Sequence, residues 1–282
     1  MSITDKNLRL AVLIDADNAP RDCLKGIMEE VAIYGTPNVK RAYGDWSSRN
    51  LSGWRQDLLD NSVTPVQQFA YTKGKNSTDS AMIIDAMDIL YGGKVDGFVL
   101  VSSDSDFTGL ARRLREAGLM VIGIGEQKTP GPLIAACNKF IYIEVIREKN
   151  CKAEKKTAQP QQKKKKTEPA KKQEPVKKAD AAKKQEPEPV KTPVETRHIP
   201  DSIVWLIADS ILDLAGPGDD DYVSLGAVGQ LIQKKRPDFD TRSYGYAKLS
   251  TMVKAIDRFE VIEREDKSDP KSKIVYIRDL EM

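Results

Sequence analysis

Residues 99–107 read VLVSSDSDF, an apolar run that ends in two carboxylates, Asp104 and Asp106. Because the run is continuously apolar, it predicts a strand that is buried on both faces. Other strand-like runs occur before and after it, and helical patterns separate them. The predicted strands are RLAVLID (9–15), PNVKRAY (37–43), VTPVQQF (63–69), GFVLVSS (97–103) and MVIGIG (120–125). This alternation predicts an α/β domain in which a parallel sheet has helices on both sides.

Acidic residues follow two of these strands. The first predicted strand ends in LIDADN, which places Asp15, Asp17 and Asn18 at its C-terminal end, as the fourth places Asp104 and Asp106. In open parallel sheets the ligand site lies beyond the carboxyl ends of the strands. We therefore expect both acidic pairs to border one crevice. A single pair is also typical of a turn or a helix N-cap, and Asp106 alone is explained as the cap of the next helix.

The helical segment DSAMIIDAMDILYGG (79–93) adds a further acid. Its apolar residues share one face of the helix, and Asp79 lies in the middle of that face in the first turn. The helix dipole favours an acid in the first turn but does not explain why it lies on the buried side. We therefore expect Asp79 to point to the same crevice. Asp85 and Asp88 fall on the opposite face, where we expect solvated side chains.

The residue types limit the chemistry. The single histidine, His198, lies outside every predicted strand and helix, so imidazole bases, Ser-His-Asp triads and histidine zinc sites are excluded from the rest of the chain. Clustered carboxylates repel one another unless a cation joins them. Oxygen ligands suit one or two Mg²⁺ or Mn²⁺ ions, which support phosphodiester hydrolysis. The candidate ligands are Asp15, Asp79, Asp104 and Asp106.

Two features leave alternatives open. Lys73 and Lys75 lie on a glycine-containing loop just before Asp79, where they either hold a phosphate oxygen or belong to a solvated loop. The DxD spacing of Asp15 and Asp17 is also typical of phosphatases that form a covalent intermediate on an aspartate, here Asp15. That alternative does not explain Asp79.

The composition divides the chain into two domains and a linker. Residues 152–197 contain 15 Lys and Arg against 7 Asp and Glu, with few aliphatic residues and no aromatic ones. Such a stretch cannot bury enough apolar surface to fold, so we predict a disordered linker that either retains polyanions or acts as a solubilising spacer. The predicted domains are residues 1–149 and 198–282, with the linker at 150–197. Helical patterns followed by two strand-like runs predict a small winged-helix fold for the second domain.

Several motifs of the first domain occur in an order that resembles the NYN domain, in its LabA-like branch of the PIN-like nuclease group. They are LIDADN (13–18), YGDW (43–46), KGKNSTDSAMIIDAMDILY (73–91), VSSDSDF (101–107) and IGEQKTPGPL (124–133). The resemblance implies a Rossmann-like sheet and metal-dependent ribonuclease activity, with Asp15, Asp79, Asp104 and Asp106 as the acidic centre. It implies auxiliary positions at Asp17, Asn18 and Asp85, and Ser103 stands where many relatives carry glycine.

The second domain contains LGAVGQLIQKKRPDFDTRSYGYAKLSTMVKAIDRFEV (225–261), which resembles the LOTUS (OST-HTH) domain. The resemblance implies RNA binding, or docking of an RNA-handling protein partner. Cations and rings suited to phosphates and unpaired bases make the candidate contacts Lys234, Lys235, Arg236, Arg242, Tyr244, Tyr246 and Lys248. The two tyrosines flank Gly245 in a turn and are alternatively core residues. We expect Trp205 to lie in the core of this domain.

Two hypotheses of different classes follow. The first is a cytoplasmic, metal-dependent ribonuclease whose C-terminal module and basic linker retain RNA, which we expect to be single-stranded. The second is a non-catalytic RNA-binding regulator that keeps the nuclease fold. Three widely spaced cysteines predict reduced thiols rather than a disulfide framework, which favours the cytoplasm. Since no apolar run reaches the roughly 18 residues of a membrane helix, we expect no membrane partner.

Overall fold

The computed structural model describes residues 7–69, 77–148, 198–215, 222–265 and 273–281. The predicted linker and the loop that carries Lys73 and Lys75 lie outside the described residues. Within them, a six-stranded sheet forms the centre of the first domain, and a three-stranded sheet with helices forms the second.

All six strands of the first sheet are parallel, and their order is β3-β2-β1-β4-β5-β6. They are β1 (Leu8–Asp15), β2 (Gly35–Gly44), β3 (Thr64–Gln67), β4 (Gly97–Val101), β5 (Met120–Gly125) and β6 (Lys139–Tyr142). The five strands predicted from the sequence are confirmed. The sixth strand, β6, is not among the predicted strands; its four residues run directly into the helix at 143–148, so that no turn residues mark its end. Strand order reverses between β1 and β4, which is where such sheets bind ligands.

Helices cover both faces of this sheet. They are α1 (Leu24–Val31), α2 (Trp54–Asp60), α3 (Ser77–Tyr91), α4 (Thr108–Glu116), α5 (Gly131–Ala136) and α6 (143–148). Buried side chains of α1, α2 and α6 form one core layer, whereas those of α3, α4 and α5 form the other. Along β1, Leu10 and Val12 point to the first layer and Ala11 and Leu13 to the second. The predicted burial on both faces is therefore confirmed.

The second domain has the predicted order of three helices and a β-ribbon. Its elements are α7 (Asp201–Leu214), β7 (Val223–Ser224), α8 (Leu225–Lys235), α9 (Leu249–Val253), β8 (Phe259–Glu265) and β9 (Lys273–Asp279). The strands are antiparallel in the order β7-β9-β8. Ahead of α9, a 3-10 turn at Thr241–Tyr244 ends at Gly245, whose φ of 84° lies in the left-handed region that favours glycine. This turn makes the third helix shorter than its sequence pattern predicts.

The prediction that Trp205 lies in the core is wrong. Its side chain is 62% exposed, and the guanidinium of Arg258 lies 4.4 Å from the centre of its ring. The core face of α7 instead carries Ile203, Ile207 and Ile211, which are almost fully buried. Residues at this spacing of four lie along one side of a helix, and Trp205 projects from the other side.

No helix in the described part of the chain is long and apolar enough to span a bilayer.

Candidate active site

The loop after β4 holds Asp104 and Asp106 next to each other. A 3-10 turn at Ser105–Phe107 begins immediately after Asp104, and Phe107 is fully buried beneath it. Oδ1 of Asp104 accepts a hydrogen bond of 3.0 Å from the backbone N–H of Asp106. The side chain that caps this turn is therefore Asp104 rather than Asp106, because Asp104 is the residue with extended backbone at its start.

Asp79 lies in the first turn of α3 and is only 9% exposed. Met82 and Ala86, on the same side of the helix, are fully buried, which confirms that Asp79 projects from the buried side. Asp79, Asp104 and Asp106 each provide a carboxylate oxygen, and these three oxygens lie within 4.8 Å of one another. We call these three residues the acidic cluster.

Asp15, the last residue of β1, is fully buried beside the switch point between β1 and β4. Its Oδ2 accepts hydrogen bonds from Nδ2 of Asn18 at 2.8 Å and from Oγ of Ser102 at 2.9 Å. Its Oδ1 is buried and has no hydrogen-bond partner among the described residues. Burial raises the pKa of Asp15 above its ordinary value, and the charge of Asp17 adds to this, although the bonds from Asn18 and Ser102 oppose it.

The surroundings of Asp79 disfavour its charged form. Burial, which is the largest cause, and the negative charges of Asp15, Asp104, Asp106 and Asp17 together raise the pKa of Asp79 to about 6. Repulsion of this kind is relieved when a cation lies between the carboxylates. The buried, unpartnered Oδ1 of Asp15 and the three close oxygens of the acidic cluster are hard donors of the kind that Mg²⁺ and Mn²⁺ prefer. The acidic cluster therefore fits a divalent cation; Asp15 lies near enough to raise the pKa of Asp79 but is not one of the three residues whose oxygens lie within 4.8 Å of one another.

Three of the predicted auxiliary residues support the loops around this centre. Oγ1 of Thr78 donates to Oδ2 of Asp17 at 2.9 Å, which ties the end of β1 to the first turn of α3. Asn18 orients Asp15 as described above. Oγ of Ser103 accepts a 2.8 Å bond from the backbone N–H of Glu126, so that it joins the loops after β4 and β5.

Asp85 has a different environment from the one expected. Its two carboxylate oxygens accept hydrogen bonds from the guanidinium of Arg41 and the hydroxyl of Tyr43, both on β2. The expectation of a solvated side chain is therefore wrong for Asp85, because α3 packs this residue against polar groups of the sheet. Asp88, three residues farther along α3 than Asp85, is exposed, as expected. Burial and the bond to Asp85 together raise the pKa of Tyr43 well above its ordinary value.

Two residues that sequence reasoning missed belong to this site. Ser102 is buried at the end of β4 and reaches Asp15, and the only sequence signal for it is a polar residue directly after an apolar strand. Lys128 lines a cavity of about 320 Å³ together with Asn18, Ser103 and Asp104. Its side chain is 76% exposed and its Nζ lies 2.6 Å from Oε2 of Glu126. The sequence signal for Lys128 is its position in the loop after β5. Because β5 is the neighbour of β4, the loops that follow these two strands lie side by side.

Two of the three lysines among the predicted RNA contacts are exposed, and the third is paired with acids. The exposed ones are Lys234, on α8, and Lys248, just before α9. Nζ of Lys235 lies 2.6 Å from carboxylate oxygens of both Asp209 and Asp213 on α7.

The remaining candidates in the second domain are engaged with protein groups. Arg236 pairs with Asp238 at 3.3 Å. Tyr244 and Tyr246 are partly buried against the core, in agreement with their alternative interpretation as core residues, and Tyr244 stacks near Phe239. Arg242 binds Asp240 and, across the two domains, Glu30. A role in RNA binding stays a prediction for all seven residues.

Comparison with protein families finds two matches in the predicted order. Residues 9–144 match the NYN domain, and residues 199–270 match the OST-HTH/LOTUS domain.

Individual relatives match parts of the chain. An uncharacterized protein of Methanocaldococcus jannaschii is 29% identical over 144 residues, which cover 50% of this chain and 56% of that protein. The chain therefore spans little more than half the length of this curated relative. A protein of unknown function from Vibrio parahaemolyticus has a crystal structure that is 20% identical, covers 51% of this chain and 96% of its own, and gives a TM-score of 0.43. A solution structure of an uncharacterized protein from Nitrosomonas europaea is 33% identical, covers 35% and 90% respectively, and gives a TM-score of 0.25.

Proposed function

We propose that this chain, whose residues 9–144 match the NYN domain and whose residues 199–270 match the OST-HTH/LOTUS domain, is a metal-dependent ribonuclease with a C-terminal RNA-binding module. The NYN domain brings the nuclease fold, and the OST-HTH/LOTUS domain is an RNA-binding type of module. The observation that carries the finer proposal is the acidic cluster, which lies with the buried Asp15 at the switch point of the sheet.

The ion would be held by Asp15, Asp79, Asp104 and Asp106. When bound, Mg²⁺ or Mn²⁺ supplies Lewis-acid stabilisation of phosphate charge and lowers the pKa of water for attack on phosphorus.

The chain's own residues orient these ligands. Ser102 and Asn18 both donate to Oδ2 of Asp15, which leaves its Oδ1 for the centre. The hydrogen bond from the N–H of Asp106 fixes the carboxylate of Asp104. Such outer contacts hold ligands in productive geometry.

We assign phosphate binding at the rim of the site to Lys128, whose exposed ammonium lines the cavity next to Asp104. A positive charge there attracts the RNA backbone and positions the scissile phosphate. In the second domain the exposed Lys234 and Lys248 are the two candidate contacts that remain open to solvent. A single-stranded substrate is proposed because its flexible backbone reaches recessed carboxylates more readily than a duplex does.

The test is cleavage of a labelled single-stranded RNA by the full chain with Mg²⁺, with Mn²⁺ and with EDTA. We expect metal-dependent cleavage that Asp104→Asn abolishes, because the variant loses a charged ligand. Asparagine also caps helical turns well, so this variant keeps the turn after β4. Asp88→Asn, on the exposed side of α3, is the matched control and should cleave like the wild type. An unchanged rate in Asp104→Asn would refute the assigned centre. A folded wild type that binds RNA without cutting it would favour the non-catalytic regulator.

A further inference from the structure

The outer edge of β6 is covered by the second domain. Because β6 is the last strand of the sheet, the amides on its outer edge have no partner strand. The backbone N–H of Phe140 donates to the carbonyl of Pro237 at 2.9 Å, and Pro237 lies just after α8. The second domain therefore satisfies a donor that an open sheet edge would leave to water.

Side chains on either side of Phe140 extend this contact. Nζ of Lys139 donates to Oε1 of Gln233 at 2.9 Å, and the hydroxyl of Tyr142 donates to Oδ2 of Asp238 at 2.9 Å. The side-chain amide of Gln233 in turn donates to the carbonyl of Pro237 at 2.7 Å. The backbone of Phe140 and the side chains of Lys139 and Tyr142 thus all donate to one short segment of the second domain, residues 233–238.

A buried ion pair closes the contact on the side of α1. Glu30, in the last turn of α1, is only 1% exposed, and a glutamate is rarely buried to this degree unless it is paired. Both of its carboxylate oxygens accept bonds from the guanidinium of Arg242, at 2.9 and 2.7 Å. Asp240 holds the same guanidinium from within the second domain. This two-point geometry is specific to arginine, since a lysine presents only a point charge.

We infer that the OST-HTH/LOTUS domain docks onto the nuclease domain as a fixed partner, seated on β6 and α1, and that Arg242 recognises Glu30 rather than RNA. We call this surface the docking seat; it comprises Glu30, Lys139, Phe140 and Tyr142. It is an edge-strand and ion-pair interface rather than an apolar groove, and its occupant is the segment 233–242 of the same chain.

The position of the docking seat leaves the acidic cluster accessible. β5 separates β6 from β4, and Asp104 follows β4. Glu30 lies at the far end of α1 from the carboxyl edge of the sheet, because α1 runs back from that edge after β1. The segment 233–242 therefore contacts the nuclease domain away from the carboxyl edge of β4, and docking leaves Asp104 uncovered by this segment.

The test measures whether the two domains of the full chain tumble together. Backbone ¹⁵N relaxation yields a rotational correlation time for each domain separately. We expect one shared value in the wild type, and two different, shorter values in Arg242→Ala. Glu30→Gln removes the buried charge from the nuclease side and should also separate the two values, which keeps the test valid if Arg242→Ala unfolds the second domain. Arg278→Ala is the control, because its partner Glu260 lies within the ribbon of the same domain.

Two results would overturn the inference. One is two independent correlation times in the wild type, and the other is a shared value that survives both Arg242→Ala and Glu30→Gln. A shared correlation time that corresponds to twice the mass of the chain, and that falls on dilution, would place the docking seat between two chains. That result would also contradict docking within one chain. None of these outcomes depends on nuclease activity, so the inference stands or falls apart from the proposed function.

Discussion

The hydroxyl of Ser102 donates to Oδ2 of Asp15 across 2.9 Å, and this bond joins the ends of β4 and β1 where the strand order reverses. Both residues are buried, at 4% and 0% exposure. A buried carboxylate without such donors would have to remain protonated or pay the full cost of lost hydration. Ser102 therefore stabilises one oxygen of the buried Asp15, and in the proposed function the other oxygen, Oδ1, is the one that would bind the cation.

We predict that Ser102→Ala lowers the cleavage rate by about 10- to 100-fold, the usual effect of removing a group that orients a metal ligand. The free energy of unfolding should fall by about 1–3 kcal/mol, because the variant loses the bond to Asp15 and the bond that the Ser102 hydroxyl accepts from the backbone N–H of Asp104. Cleavage kinetics across a Mg²⁺ titration and urea denaturation measure the two effects. Ser210→Ala is the control, since its buried hydroxyl donates to the carbonyl of Leu206 in the second domain. Equal rates in both variants would contradict a specific role for Ser102.

The burial of Asp79 among other acids also has a consequence for stability. Its pKa in the folded, metal-free protein is about 6, above its ordinary value of 3.8. A folded state that binds a proton more tightly than the unfolded chain loses stability as the pH rises between these two values. Asp79 should therefore contribute less to the stability of the metal-free nuclease domain at neutral pH than near pH 4. A cation that binds between the carboxylates should restore the lost stability.

We predict that Asp79→Asn abolishes cleavage and yet raises the melting temperature of the EDTA-treated protein at pH 7.5. The gain should be roughly 3–8 °C, which corresponds to about 1–2 kcal/mol in a domain of this size. Calorimetry with EDTA and with Mn²⁺ makes the measurement. The wild type should be stabilised by Mn²⁺ and the variant much less. Asp88→Asn, on the exposed side of the same helix, should show neither effect, and a variant of Asp79 that melts lower than wild type in EDTA would refute the argument.

Asp85 allows the family resemblance and the structure to be compared directly. The resemblance implies an auxiliary position at the metal centre, whereas both carboxylate oxygens bind Arg41 and Tyr43 of β2. We predict that Asp85→Asn lowers the free energy of unfolding by about 1–3 kcal/mol, as expected for lost bonds to a charged group. The concentration of Mg²⁺ that gives half-maximal cleavage should stay unchanged. Tyr43→Phe removes one of the same bonds and should resemble it. A shifted Mg²⁺ dependence in Asp85→Asn alone would favour the auxiliary role.

Much of the fold and the outline of the site could be predicted because both depend on local patterns. Strand-like runs, three of them continuously apolar, identify five of the six strands, and parallel topology then brings the acids after β1 and β4 to one edge. The position of Asp79 follows from helical periodicity alone.

What the sequence could not provide depends on contacts between distant residues. Ser102 is one serine among several until Asp15 is seen to lie 2.9 Å away. The basic stretch around Arg242 predicts an RNA contact for this residue. Its bond to Glu30 could not be predicted, because Glu30 lies more than two hundred residues earlier in the sequence. Apolar periodicity also fails at Trp205, since a tryptophan in an amphipathic helix is usually a core residue.

The exposure of Trp205 leads to a stability prediction for the second domain. Trp205→Ala should lower the free energy of unfolding by about 1 kcal/mol or less, because the residue contributes mainly its contact with Arg258. Ile207→Ala, two residues along α7 and fully buried, should cost about 2–5 kcal/mol through lost burial and the cavity left behind. Urea denaturation followed by circular dichroism compares the two variants without relying on tryptophan fluorescence. If Trp205→Ala proved as costly as Ile207→Ala, Trp205 would be a core residue in solution, and the face of α7 that packs against the domain would have to be reassigned.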